Sequence, residues 1–173
     1  MLAYVFFHRP APGVETPIYE TALRKFHSAL TVAPPVGFIG SSTYRVGGGY
    51  ADWYLVESSA ALDLLNQAAV NEARSATHDV VAHLASDGAG KLLMRVSGTA
   101  PPGAGYEMRF SKPAGTAYQD LYDRLKPRTD RAEVTLWRRM MVLGPAPEFC
   151  LLALSQIQLP AEMKPEILRR DLV

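Results

Sequence analysis

The side chains best suited to proton transfer or metal ligation are four histidines. They are His8, His27, His78 and His83. His78 and His83 are five residues apart, whereas two ligands on one helix face stand four apart. With no His-x-x-x-His or Glu-x-x-His motif, the spacing predicts no dedicated metal site. His8 follows an apolar run and is the candidate catalytic residue, able to move a proton; the alternative is a hydrogen-bonded histidine at the end of a strand. His27 is expected to be partly exposed.

The elements that must position these histidines follow a partly repeated order. Residues 1–98 read as strand, helix, strand, strand, helix, strand, and residues 104–159 repeat strand, helix, strand, strand. The predicted fold class is α+β. It comprises a ferredoxin-like βαββαβ unit at 1–98 and a shortened βαββ unit with a C-terminal tail at 104–173. Prolines and glycines in 99–105 mark the boundary. We expect the two antiparallel sheets to face each other as a barrel-like pair.

Local patterns add detail to this order. Ala132–Leu143 and Phe149–Leu159 read as long strands, Ser86–Gly90 as a turn and Pro165–Arg170 as a short helix. The second helix is expected to be interrupted at Arg74–Ser75. A shortened second unit would leave strand edges unpaired, and unpaired edges favour a homodimer.

Alternation along the first strand separates two largely apolar faces. The sets are Tyr4, Phe6 and His8 on one face, and Ala3, Val5 and Phe7 on the other. Because a face under helices is expected to be fully apolar, we assign the second set to the helices and the first to the sheet-to-sheet side. Rings and a few polar groups on that side favour a small-molecule pocket. Its substrate-binding residues would be Tyr4, Trp53, Trp137 and Arg139; the alternative is a packed interface between the sheets.

The segment Asp52–Ser58 forms an aromatic and acidic third strand, and Leu62, Leu65 and Val70 follow on an amphipathic helix. Ala76-Thr77-His78 then begins a further helical stretch. In this the chain resembles the dimeric α+β-barrel superfamily, which includes antibiotic-biosynthesis-type monooxygenases, heme-degrading monooxygenases and chlorite-dismutase-like proteins. The resemblance implies a monooxygenase-like protein without a cofactor. In its heme-binding members a histidine of this region ligates iron, so a cofactor-binding role would fall on His78.

The amino-acid composition argues against several classes of binding partner. The net charge is +1, from 18 basic and 17 acidic residues, which gives no field to attract nucleic acid or an anionic membrane. No segment approaches the roughly 20 apolar residues of a membrane span. Cys150 is the single cysteine and forms no internal disulfide, so a cytoplasmic setting is expected. Three hypotheses stay open: a small-molecule-binding or cofactor-free monooxygenase-like protein, a non-catalytic dimeric module, and a heme-binding protein.

Overall fold

A computed structural model describes residues 1–70, 74–99, 103 and 105–173. The strands are β1 (Leu2–Pro10), β2 (Phe38–Val46), β3 (Gly49–Val56), β4 (Ala85–Gly98), β5 (Tyr106–Phe110), β6 (Val134–Arg139), β7 (Phe149–Ala153) and β8 (Glu166–Leu172). The helices are α1 (Thr16–Val32), α2 (Ala60–Val70), α3 (Ser75–Leu84) and α4 (Tyr118–Thr129), with a 3₁₀ turn at Ala161–Met163. The predicted boundary at 99–105 falls largely outside the described residues. Within them, no helix is both long enough and apolar enough to cross a membrane.

The strands form one closed antiparallel barrel in the order β1-β3-β2-β8-β5-β7-β6-β4. The α+β fold class and the facing sheets are therefore confirmed. The predicted C-terminal helix is wrong, because Glu166–Leu172 instead pairs with both β2 and β5. That pairing closes the barrel within one chain. The argument from unpaired edges is therefore wrong, and a homodimer stays a prediction without a strand edge to support it.

Two other local predictions are also corrected. The expected turn at Ser86–Gly90 belongs to β4, where Gly88 and Gly90 leave room for the rings of Phe6 and Tyr4 on β1. The two long strands are shorter than expected, ending at Arg139 and Ala153. The interruption predicted at Arg74–Ser75 is confirmed, since Arg74 is a turn residue and α3 begins at Ser75.

The largest correction concerns which face of β1 meets the helices. Ala3 and Val5 point into the barrel, whereas Tyr4 and Phe6 pack against the layer formed by α1, α2 and α3. His8 likewise faces α1, where it contacts Tyr19. The expectation of a purely apolar helix face failed because α1 supplies polar partners. Small side chains such as Ala3 suit the interior, where space near the barrel axis is limited.

Two bulky aromatic side chains fill the space that the small residues leave inside the barrel. The indoles of Trp53 and Trp137 meet edge to face with centroids 5.5 Å apart, and both are almost fully buried. Such a pair adds about 0.5–1.5 kcal/mol beyond its buried area. On the far side of the barrel, α4 covers the second half through Leu121 and Leu125. Each half of the sheet therefore has its own helical cover and shares one interior.

Candidate active site between the sheet and the helices

A cleft lies between the outer face of β1, β3 and β4 and the helices α1 to α3. It consists of two adjoining pockets of about 420 and 310 Å³, which share Phe6, Phe26, Tyr54 and His78. Tyr4 lines the larger pocket, and the smaller one reaches polar groups of β1 and β3. Aromatic walls with a few convergent polar groups suit a flat organic ligand.

The floor of the smaller pocket is built around one buried carboxylate, Asp52 on β3. Its Oδ1 accepts a hydrogen bond from the Thr43 hydroxyl at 2.6 Å and lies 3.3 Å from His27 Nε2. Its Oδ2 accepts a hydrogen bond from the Tyr54 hydroxyl at 3.1 Å and lies 3.2 Å from His8 Nε2. Each carboxylate oxygen thus faces one hydroxyl and one imidazole. We call His8, Asp52 and His27 the His–Asp–His cluster.

The cluster favours the ionised form of Asp52. Burial by itself would raise the pKa of this carboxyl, but hydrogen bonds from His27 and His8 outweigh it and hold the pKa below its usual value of 3.8. Burial raises the pKa of Tyr54 well above that of a free phenol, and the negative charge of Asp52 adds to the effect. Tyr54 therefore remains a hydrogen-bond donor to the carboxylate.

His8 has a polar group opposite each of its two ring nitrogens. Nδ1 lies 2.5 Å from the hydroxyl of Tyr19 on α1, while Nε2 faces Asp52. The ring stacks between Phe6 and Tyr50, with centroid distances of 5.5 and 5.8 Å. As an imidazolium it could donate from Nε2 to the carboxylate and from Nδ1 to the Tyr19 oxygen. The surroundings therefore accommodate the charged form without rearrangement.

An ion pair beside the cluster fixes α1 on the sheet. Glu20 accepts hydrogen bonds from Arg45 at 2.5 and 2.6 Å and from the Tyr50 hydroxyl at 2.9 Å. The hydrogen bond from Arg45 is the main cause that lowers the pKa of Glu20. This arrangement holds Tyr50 against His8 and anchors the helix that carries Tyr19 and His27.

The six predicted site residues fall into two groups on opposite sides of the sheet. Tyr4, His8 and His78 line the cleft, whereas Trp53, Trp137 and Arg139 belong to the barrel interior or its end. A single pocket containing Tyr4, His8, Trp53 and Trp137 together is therefore wrong, because neighbouring residues of a strand point to opposite faces. The individual roles of these residues stay predictions.

Sequence reasoning missed Asp52, Tyr54 and the buried state of His27, which is 9% exposed. A signal for Asp52 was present: it is the one charged residue within the apolar strand from Tyr50 to Val56. A carboxylate at such a position needs hydrogen-bonding partners when the strand is covered. Alternation also places it on the same face as Tyr54.

The described lining of the cleft does not fit heme well. The His78 side chain is 36% exposed, and its Nδ1 lies 3.3 Å from the carboxylate of Asp79. Of the described residues that line the two pockets, those with Asp, Glu, Lys or Arg side chains are Asp52, Asp63 and Asp87, and carboxylates would repel the propionate groups of heme. Among the described residues, no group of three or more histidines, cysteines and carboxylates is arranged as a metal-binding set.

The fold and the cleft together define a single-chain α+β barrel with a ligand-sized space under its helices. Two solved structures share this fold. One, described as a "putative chlorite dismutase", has a TM-score of 0.60 at 14% identity, covering 99% of this chain and 94% of the other. The second, described as an anthrone oxidase-like protein, has a TM-score of 0.61 at 12% identity, covering 99% and 90%. The predicted α+β-barrel fold is thus confirmed and is shared with these two solved structures. No protein-family model and no curated protein matches the chain.

Proposed function

We propose that the cleft binds a flat, hydroxylated aromatic ketone and that the His–Asp–His cluster removes a proton from it, so that O₂ can oxidise it without a cofactor. The observation that carries this proposal is the buried Asp52 carboxylate, held between His8 and His27 at the floor of an aromatic cleft. A buried charge of this kind is expensive, and replacing it by apolar residues is often neutral or stabilising. Buried carboxylates held by imidazoles in a cleft are typical of sites that transfer protons.

The proton would enter through Tyr54. This residue lines both pockets, and its hydroxyl donates to Asp52 Oδ2. The enol hydroxyl of the substrate, formed when its ketone takes up the enol tautomer, would lie next to Tyr54 and could pass a proton along this hydrogen bond into the cluster. His8 would retain it as an imidazolium, because Asp52 and Tyr19 accept from its two nitrogens. Imidazole is the side chain that takes up and releases a proton reversibly near neutral pH, and His8 is the imidazole on this path.

The side chains that line the cleft indicate which kind of ligand it binds. Rings of Tyr4, Phe6, Phe26 and Tyr54 favour a planar aromatic body. Loss of the enol proton gives an electron-rich enolate, the anion that loss of a ring methylene (CH₂) proton would also give, and the former methylene carbon can then react with O₂. One O₂ is consumed: one oxygen atom becomes the new carbonyl, and the other leaves as water with the hydrogen remaining on that carbon and the proton returned by the cluster. Anthrones are tricyclic ketones of this kind, and the fold shared with an anthrone oxidase-like protein adds support.

The test uses 1,8-dihydroxyanthrone, with O₂ uptake and quinone absorbance as readouts. We expect His8→Gln to reduce turnover by about 100-fold or more while the probe still binds, because general acid–base catalysis contributes about 10² to 10⁴. His83→Gln is the matched control, since His83 is exposed on α3 and bonds only to the backbone oxygen of Asp79. Wild-type turnover no faster than oxidation in buffer, or full turnover by His8→Gln, would contradict the proposal.

A further inference from the structure

The barrel interior carries an excess of positive charge at one end. Lys91 on β4 is 5% exposed, and its Nζ lies 5.6 Å from the ring centroid of Phe7, which points inward. The Arg109 guanidinium lies over the same ring at 4.9 Å. Burial lowers the pKa of Lys91, and the cations Arg109 and Arg139 close to it lower it further. Deeper inside, Arg170 lies 3.6 Å from the ring centroid of Tyr44.

Among the described residues, one buried carboxylate forms ion pairs with two of these four cations, Arg109 and Arg170. Glu107 Oε1 lies 2.5 Å from Arg109 Nε, and its Oε2 lies 3.8 Å from Arg170 Nε. Glu166 comes within 4.0 Å of Arg109 but is 59% exposed, so solvent weakens this interaction. Unbalanced charge in a largely buried site is costly unless an anion joins it.

Several donors of this cluster are buried and have no hydrogen-bond partner. They are Arg109 Nη2, Arg139 Nε, Arg170 Nε and Arg170 Nη1, while Glu107 Oε2 is a single unpaired acceptor beside them. The ammonium of Lys91 uses one of its three donors on the carbonyl of Pro147 at 3.0 Å. Natural structures pair buried donors in the great majority of cases. Unpaired donors that surround excess positive charge point to an acceptor supplied from outside the chain.

A pocket of about 410 Å³ opens beside this cluster at the end of the barrel. Arg9, Lys91 and Arg109 contribute positive charge to its lining and Asp87 contributes one carboxylate, while Phe7, Val46 and Pro147 contribute apolar surface. We propose that this barrel mouth binds a small organic carboxylate, whose anionic end meets Lys91 and Arg109 and whose hydrocarbon body covers Phe7 and Val46. The arginine guanidinium can hold a carboxylate by two parallel hydrogen bonds.

This pocket adjoins the smaller pocket of the cleft, and His8 and Asp87 line both. Its cations Lys91 and Arg109 line neither pocket of the cleft, because alternation sends Phe7 and Lys91 into the barrel, whereas Phe6 of β1 and Gly88 of β4 lie on the outer face. Variants of Lys91 and Arg109 therefore test this proposal without changing a residue that lines the cleft.

The probe is cyclohexanecarboxylate, which does not absorb where tryptophan does. Trp53 and Trp137 are the only tryptophans, and both lie in the interior, so their fluorescence and titration calorimetry report on the barrel. We expect saturable binding of the carboxylate, little binding of the neutral cyclohexylmethanol, and weaker binding of inorganic phosphate, which has no hydrocarbon body. Lys91→Met should weaken carboxylate binding by about tenfold or more, because a charged hydrogen bond contributes about 1.5–3 kcal/mol.

Lys25→Met is the matched control, since Lys25 is exposed on α1. Lys91→Met removes a buried cation without touching Glu107, so it should fold at least as well as wild type, as judged by thermal unfolding. A second variant, Arg109→Gln, should also weaken binding. The proposal is overturned if wild type does not bind at millimolar concentration, if phosphate or the alcohol binds as tightly, or if Lys91→Met binds like wild type.

Discussion

Replacing Asp52 by asparagine tests the centre of the candidate active site. The substitution keeps the shape of the side chain but turns one acceptor oxygen into an NH₂ group. Whichever oxygen is replaced, the new donor meets one hydroxyl and one imidazole: Thr43 and His27 at Oδ1, or Tyr54 and His8 at Oδ2. A hydroxyl that donated to the carboxylate therefore loses its acceptor.

The expected cost follows from this geometry. Leaving a buried donor unpaired costs about 1–3 kcal/mol, and breaking a buried charge pair costs about 3–5 kcal/mol. We expect Asp52→Asn to lower the free energy of unfolding by about 3 kcal/mol, which is a fall in Tm of roughly 6–12 °C for a domain of this size. Thermal unfolding followed by circular dichroism measures it. Asp79→Asn, at a side chain that is 66% exposed, should change stability by no more than about 0.5 kcal/mol.

The same variant should change the response to acid. The pKa of Asp52 is lower in the folded protein than the value of 3.8 of a free aspartate. Below 3.8 the unfolded chain therefore binds a proton that the folded chain does not, and the stabilisation, complete at higher pH, is lost as pH falls towards the folded pKa. Wild type should lose stability steeply in that range, and Asp52→Asn less so. Equal stability and equal acid slopes in the two proteins would refute an ionised Asp52 at the hub of the cluster.

Three other outcomes are expected. Gly90→Ala places a Cβ atom 2.5 Å from the Tyr4 hydroxyl oxygen, so Tyr4 must shift, and KM for 1,8-dihydroxyanthrone should rise; an unchanged KM would mean that the ligand lies elsewhere. Trp53→Ala should cost about 3–5 kcal/mol in urea unfolding, because it leaves a cavity inside the barrel beside the second indole. Titration with hemin should give no Soret band of a histidine-ligated heme, and His78→Ala should behave identically; a band lost only in His78→Ala would restore the heme hypothesis.

The order of elements could be predicted because it depends on local signals. Strand-forming runs, the Pro17 helix start and the glycines of the Gly47–Gly49 turn act within a few residues. The face of β1 could not be predicted, because Tyr4 and Val5 are both compatible with burial and both faces are covered. The face of β1 that packs on the helices is determined by polar partners on α1, which are distant from β1 in sequence.

Closure of the barrel could not be predicted from local sequence patterns either. The strand β8 contains Arg169, Arg170 and Asp171, a polar run that fits a short solvent-exposed helix as well as a strand. Arg170 is nevertheless 3% exposed, because the ring of Tyr44 and the carboxylate of Glu107 receive it inside the barrel. Long-range pairing of this kind leaves no period-2 hydrophobic signal.

The position of β8 in the barrel also determines when the barrel can close during folding. Both of its neighbours, β2 and β5, are synthesised before β8. Until β8 is added, the backbone amides and carbonyls on one edge of each neighbour stay unpaired. Contacts between segments so distant in sequence form late and slowly. A nascent chain that still lacks Glu166–Leu172 forms an open sheet with exposed strand edges. In this form the protein would most need a chaperone.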